Sequence, residues 1–112
     1  MDYLSLVKQF GSPLYVYDAA IIRDRCQALR AAYSDCGSSI EWLYAVKANY
    51  NPHILRLIAG EGFGVDAVSL EEVELAMSSG VDPKRIMYTE SAMTDAEMHA
   101  AHKSGVLLNI GS

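Results

Sequence analysis

The sequence predicts an α/β fold: about half of a parallel TIM-type (βα)8 barrel, preceded by a short strand and helix. Three observations lead there. Apolar, strand-like runs alternate with amphipathic helical stretches along the chain, the pattern of parallel βα units. The expected strand ends fall at Lys47, Asp66, Thr89 and Ile110, at steps of 19, 23 and 21 residues, which is a short and even period. No glycine fingerprint opens a helix: Gly60, Gly62 and Gly64 are spaced G-x-G-x-G but precede a strand, the wrong context for dinucleotide binding. An even period without that fingerprint favours a barrel over an open doubly wound sheet.

Each element has its own local reason. Residues Leu14 to Tyr17 read as a short strand after Gly11-Ser12-Pro13. Asp18 is the expected N-cap of a helix whose stripe is Ile22, Cys26, Leu29 and Tyr33, and Gly37 is its expected C-cap. A strand over Ile40–Val46 leads to Asn51-Pro52, a cap followed by proline at the first helical position. Ile54, Leu57 and Ile58 form that helix's buried face, and Gly60 and Gly62 end it. A strand over Gly64–Val68 precedes a capping box, Ser69 with Glu72. Val73, Ala76 and Met77 face inward from the helix, Gly80 stops it, and Asp82-Pro83 turns into a strand over Arg85–Tyr88. Thr94 with Glu97 is a second capping box; its helix ends at Gly105, and Val106–Ile110 is the last strand.

In a barrel of this kind, functional side chains sit at the C-terminal ends of the strands. Lys47, Asp66, Glu90 or Ser91, and Asn109 are therefore expected on one rim. Four strands are half of eight, so a sheet of this size keeps two parallel edges and an uncovered inner face. The chain reads as the front of a longer protein, or as a subunit that pairs with another half.

Composition narrows the function classes. With 51% apolar and 21% charged residues in 112, the chain suits one small domain with a core. A net charge of −5 with scattered Lys and Arg argues against a nucleic-acid surface. No apolar run approaches the roughly 18 residues of a membrane span. Met1-Asp2-Tyr3-Leu4 has no basic-then-apolar leader pattern, so a cytoplasmic location is expected. Cys26 and Cys36 form neither a disulfide framework nor a zinc spacing. His99 and His102 share a helix face without an evident third ligand, so no metal site is expected.

Lys47 is the residue with the most distinctive chemistry. It closes the apolar run Glu41-Trp42-Leu43-Tyr44-Ala45-Val46 and precedes Ala48-Asn49. An amine at a strand end, above an apolar core, suits covalent bonding to a carbonyl, as in a Schiff base. On position alone, the alternative is a solvated lysine closing a strand. Asp66 has a similar alternative, as a strand-end carboxylate capping a loop.

The run Tyr44-Ala45-Val46-Lys47-Ala48-Asn49 resembles a motif of the pyridoxal-phosphate (PLP) decarboxylases of basic amino acids. These are the ornithine, arginine and diaminopimelate decarboxylases with an alanine-racemase-type barrel. Further stretches, in the family's order, support the resemblance: Gly11-Ser12-Pro13-Leu14-Tyr15-Val16-Tyr17, Asn51-Pro52-His53-Ile54-Leu55, Gly64-Val65-Asp66, Val68-Ser69-Leu70-Glu71-Glu72-Val73, Gly80-Val81-Asp82-Pro83-Lys84-Arg85-Ile86 and Asn109-Ile110-Gly111-Ser112. Tyr88-Thr89-Glu90-Ser91-Ala92-Met93-Thr94 and Leu107-Leu108-Asn109-Ile110-Gly111-Ser112 look most like the diaminopimelate branch, which makes lysine from meso-diaminopimelate. Tyr50-Asn51-Pro52 follows Asn49, where alanine racemases carry Ala-Tyr-Gly, which lowers a racemase reading.

The resemblance implies that residues 1–112 are the N-terminal part of a PLP-binding barrel. Lys47 would be the catalytic lysine and covalent anchor of the cofactor, and Asp66 a neighbour of the bond or of the cofactor. Glu72 matches the family's next acidic position, but the capping box already explains it. Residues 1–17 would pack with a C-terminal β domain, and the whole protein would be a homodimer acting on a small amino acid. The family's phosphate loop, its acid for the pyridine nitrogen and its substrate grip lie outside these residues, so the 112 residues alone are expected to be inactive. The second reading is a non-catalytic homologue or partial domain, serving as a folding or interaction unit.

Overall fold

The structure is a computed structural model that describes residues 2–36 and 39–110. Gly37, expected as a C-cap, and the Gly111-Ser112 end of the last motif lie outside the described residues.

The N-terminal segment departs from the sequence expectation. A helix, α1 (Tyr3–Phe10), comes first. Asp2 caps it by accepting from the Leu4 and Ser5 N–H groups, and Gly11 ends it at φ 87°. The strand expected over Leu14–Tyr17 does not form: the segment joins no sheet among the described residues. A strand needs a neighbour to satisfy its N–H and C=O groups. Among the described residues no strand pairs with this segment, and Tyr15 is 86% exposed.

Helix α2 (Ala19–Ala32) begins as expected, with Asp18 accepting from Ala20 at 2.8 Å. It ends a few residues short of the expected stop. Tyr33 leaves the helix and sets its ring edge-on to Trp42, centroids 5.1 Å apart. Strand β1 (Leu43–Ala45) is shorter than the run Ile40–Val46 that predicted it. Its partner begins only at Gly64, whose N–H donates to Trp42, so residues before that point have no ladder to join. A single 3-10 turn, Val46–Ala48, follows. Then come α3 (Pro52–Gly60), capped by Asn51, and β2 (Gly64–Ala67). Helix α4 (Leu70–Ser78) is followed by a 3-10 turn at Pro83–Arg85 and β3 (Ile86–Glu90). Helix α5 (Asp95–Ser104) and β4 (Leu107–Ile110) close the described chain.

The four strands are parallel and lie in the order β1-β2-β3-β4. Sequential order without reversal is what a barrel requires and what a doubly wound sheet lacks. Strand side chains alternate between faces. One face carries Val65, Ala67, Ile86 and Tyr88, all buried with Leu55 of α3, Val73 and Ala76 of α4 and Ala101 of α5. The other carries Leu43, Ala45, Asp66, Met87, Thr89, Leu107 and Asn109, none of them fully buried. The helices thus cover a single face, and the uncovered one is the barrel's inner wall. A second cluster, Cys26, Ile54, Ile58 and Phe63, joins α2 to α3 under Trp42.

The N-terminal ends of the strands are tied by one side chain. Arg85 pairs with Glu41 at 3.0 Å and donates to the Gly62 carbonyl. It therefore links the segments entering β1, β2 and β3.

Candidate active site

Lys47 does not end a strand; it sits in the middle of the 3-10 turn that leaves β1. The correction follows from the short β1, which ends two residues earlier. The position is still at the C-terminal end of the first strand, and the side chain is exposed. Among the described residues the ion pairs are Arg23–Glu61 and Arg85–Glu41, so the Lys47 ammonium has no carboxylate partner there. The backbone around it is held from both sides. The Asn49 N–H donates to the Val46 carbonyl at 3.1 Å. The Tyr44 hydroxyl donates to the Asn49 carbonyl at 3.3 Å. Asn49 Oδ1 accepts from the Asn51 N–H at 3.0 Å, and Asn51 Oδ1 accepts from His53 at 2.9 Å to start α3. Burial, reinforced by the neighbouring Tyr17, pushes the Tyr44 phenol up from its ordinary value, so Tyr44 keeps the proton it donates.

Asp66 pairs in register with Ala45, two residues before Lys47, on the inner face. Its Oδ1 accepts from the Thr89 hydroxyl at 2.9 Å. Thr89 Oγ1 in turn accepts from Asn109 Nδ2 at 3.4 Å. Asp66 and Asn109, both expected on the rim, are therefore joined through Thr89 into a polar row across β2, β3 and β4. Thr89 was recognisable in the sequence as a strand end but not as a member of the site. The signal would have been the register that places it one pleat above Met87, the Cα partner of Asp66.

The other rim residues do not join this row. Glu90 lies on the same face as Tyr88 and turns back, its Oε1 accepting from the Ser91 and Ala92 N–H groups at 2.8 and 3.2 Å. Ser91 is exposed. Glu72 is committed to helix capping: its N–H donates to Ser69 Oγ at 3.2 Å, while its carboxylate accepts from the Val68 N–H at 2.8 Å. Gly62 and Gly64 lie at the start of β2, at the opposite end of the sheet from Lys47. His99 and His102 are exposed on α5.

A cavity of about 590 Å³ lies between α2 and β1. Ile21, Cys26, Leu29, Trp42 and Phe63 help line it, and neither Lys47 nor Asp66 does. It is a mostly apolar groove at the sheet edge that reaches Ala48 and Asn49 of the Lys47 turn.

The donor set fits the carbonyl end of PLP. Lys47 supplies an exposed primary amine with no carboxylate partner among the described residues, and Asp66 supplies a carboxylate on the adjacent strand. The comparisons with known proteins point to the same cofactor. Residues 19–112 match the family described as pyridoxal-dependent decarboxylase, pyridoxal binding domain. The diaminopimelate decarboxylase of Methanothermobacter thermautotrophicus is 40% identical over 99% of this chain and 26% of its own length. That of Aquifex aeolicus is 41% identical over 92% of this chain and 24% of its own. The structure of diaminopimelate decarboxylase from Helicobacter pylori complexed with L-lysine superposes with a TM-score of 0.86 at 31% identity, over 99% of this chain and 28% of that one. The chain thus spans about a quarter of the length of these relatives, and its sheet corresponds to the first strands of their barrels. A lysine amine in the turn after the first strand of a parallel sheet, an acid on the second strand and a family match over most of the length converge: the chain belongs to the pyridoxal-binding domain family of the pyridoxal-dependent decarboxylases.

Proposed function

We propose that this chain is the N-terminal part of a diaminopimelate decarboxylase, converting meso-diaminopimelate to L-lysine and carbon dioxide. The observation that carries the reading is the placement of Lys47, pinned by Tyr44 and Asn49 at the end of β1 with its amine free. The sequence similarity to two named diaminopimelate decarboxylases supports the substrate, as does the L-lysine bound to the similar Helicobacter pylori enzyme.

Lys47 would hold the cofactor covalently through its carbonyl, and its amine would be freed when substrate binds. PLP, when bound, supplies the electron sink for loss of the carboxyl group. Once free, the Lys47 amine is a base at the mouth, placed to move a proton during product release. Asp66, on the neighbouring strand, would lie near the cofactor and offer it a negative charge. Neither residue works in bulk water once the rest of the barrel covers the inner face, which strengthens both contributions.

Residues 1–17 pack against a C-terminal β domain in this reading. Tyr3, Leu4, Phe10 and Tyr15 are each at least 64% exposed here, more apolar surface than a short segment keeps in water without a partner. The whole protein is a homodimer, and the 112 residues alone do not turn over substrate. The cytoplasmic reading is supported by two unpaired cysteines. No helix among the described residues is long and apolar enough to cross a membrane.

The test is carbon dioxide release by the full-length protein carrying this segment, with meso-diaminopimelate, L-ornithine and L-arginine offered separately. Turnover of meso-diaminopimelate, lost when PLP is stripped and restored on its return, is the expected result. Turnover of ornithine or arginine in its place moves the protein to another branch. PLP binding without turnover of any of the three supports the non-catalytic reading.

A further inference from the structure

We propose that Thr89 and Asn109 are positioning residues for Asp66, fixing its carboxylate on the inner wall so that one oxygen is anchored and the other faces the cofactor. The proposal rests on the reading of Asp66 as a neighbour of PLP and extends it to two residues that the reading does not use.

The three side chains come from three strands and share one face. Asp66 is opposite Met87, Thr89 is the next residue on that face, and Thr89 is directly opposite Asn109. Separations of 23 and 20 residues make this a tertiary arrangement, not a local turn. The polarity of the row is fixed by chemistry. An ionised carboxylate only accepts, so the single Thr89 proton goes to Asp66 Oδ1 at 2.9 Å. Oγ1 can then only accept, and only the NH2 end of the Asn109 amide can fill that role, as it does at 3.4 Å. A hydroxyl that accepts one hydrogen bond donates a stronger one. Every bond in the row therefore points toward Asp66.

The two carboxylate oxygens end up in different situations. Oδ1 is held by Thr89, whereas Oδ2 receives no hydrogen bond from any described residue and is not sealed from solvent. Asp66 is half-buried. Without the Thr89 hydroxyl its carboxylate could rotate about χ2, which is a soft torsion, and lose its aim at the mouth.

The test uses the full-length protein and reads PLP affinity by titrating the visible absorbance of the bound cofactor. Thr89→Val removes the donor at nearly constant shape and is expected to weaken PLP binding about tenfold, as befits loss of a hydrogen bond to a charged group. Thr89→Ser keeps the hydroxyl and is expected to stay within about twofold of the parent, since a hydroxyl of either residue can donate. In an Asp66→Asn background, Thr89→Val is expected to add nothing, because it acts only through the carboxylate. Additive effects of Asp66→Asn and Thr89→Val, or a Thr89→Val protein that binds PLP like the parent, would overturn the proposal. If Asp66→Asn is itself silent, the assignment of Asp66 to the cofactor fails first and the proposal falls with it. Should Thr89→Val not fold, Asn109→Ala at the exposed end of the row serves instead: weaker PLP binding in the parent but not in Asp66→Asn supports the row, and no change overturns it.

Discussion

The Tyr44 hydroxyl donates to the Asn49 carbonyl at 3.3 Å, spanning the turn that carries Lys47. Tyr44 points to the helix side of β1, packing against the Ile54 and Phe63 cluster, while Lys47 leaves on the rim. The hydrogen bond couples the packed core to the turn that carries Lys47. Tyr44→Phe should therefore cost about 1 kcal/mol, the usual net worth of one hydrogen bond, read as a lowered urea midpoint at unchanged slope. Burial raises the Tyr44 phenol above its unfolded value of 10.0. A raised value means the folded state holds its proton longer, so this contribution is complete below about pH 10 and is lost as pH rises beyond it. The difference between parent and Tyr44→Phe should shrink in that alkaline range.

Gly64 opens β2 where there is no room for a side chain. A Cβ there would meet the Arg85 carbonyl and come within 2.6 Å of Leu43 Cδ2. The carbonyl is backbone and cannot turn aside. Gly64→Ala should thus destabilise by about 1–3 kcal/mol, the range for overpacking a closed site, with Gly60→Ala as the contrast because nothing lies within 4 Å of that position. Thermal melts of the two variants side by side check this.

Cys26 and Cys36 should separate in reactivity. Cys36 is exposed and Cys26 buried, and burial, then the nearby Glu61, push the Cys26 thiol up against a smaller pull from Arg30. The thiolate is the reactive form, so iodoacetamide should label Cys36 first in the folded protein and reach Cys26 on unfolding. The sign of the linkage follows: stability from the neutral Cys26 thiol is present below its unfolded value of 9.0 and falls as pH rises above it. Cys26→Ala should remove that part of the alkaline loss.

The Thr94–Glu97 capping box predicts an acid-side effect. Thr94 Oγ1 accepts from the Glu97 N–H, and Glu97 accepts from the Thr94 N–H at 2.8 Å. Bonds from Thr94 hold the Glu97 carboxyl below its ordinary value of 4.5. The stabilisation is therefore present above that value and is lost as pH falls through the lowered one. Thr94→Ala should cost about 1 kcal/mol at neutral pH, as lost helix caps do, and less in acid.

Much of this was legible in the sequence because caps and helix faces are local. Asp18, Asn51, Ser69 and Thr94 all start helices where their side chains said they would. Strand lengths were less legible, because a ladder belongs to two segments: Ile40–Trp42 has strand-like residues but no partner before Gly64. The segment Leu14–Tyr17 has the same composition and fails for the same reason. Helix α1 rests on Asp2 and Gly11, signals that were available but lie beside the more obvious turn at Gly11-Ser12-Pro13. At the site, Lys47 and Asp66 stood out by type and position. Thr89 did not, since its role depends on register across two strands. Glu90 stood at the right place but on the wrong face, and its carboxylate is satisfied by its own loop.

A covalent bond between Lys47 and the cofactor can be mapped directly. The full-length protein, loaded with PLP and reduced with borohydride, is digested and its peptides are mapped by mass. The reduced cofactor is expected on Lys47, with no labelled peptide from this segment in Lys47→Ala. A cofactor found on Lys8, Lys84 or Lys103, or labelling of this segment that survives Lys47→Ala, would contradict it.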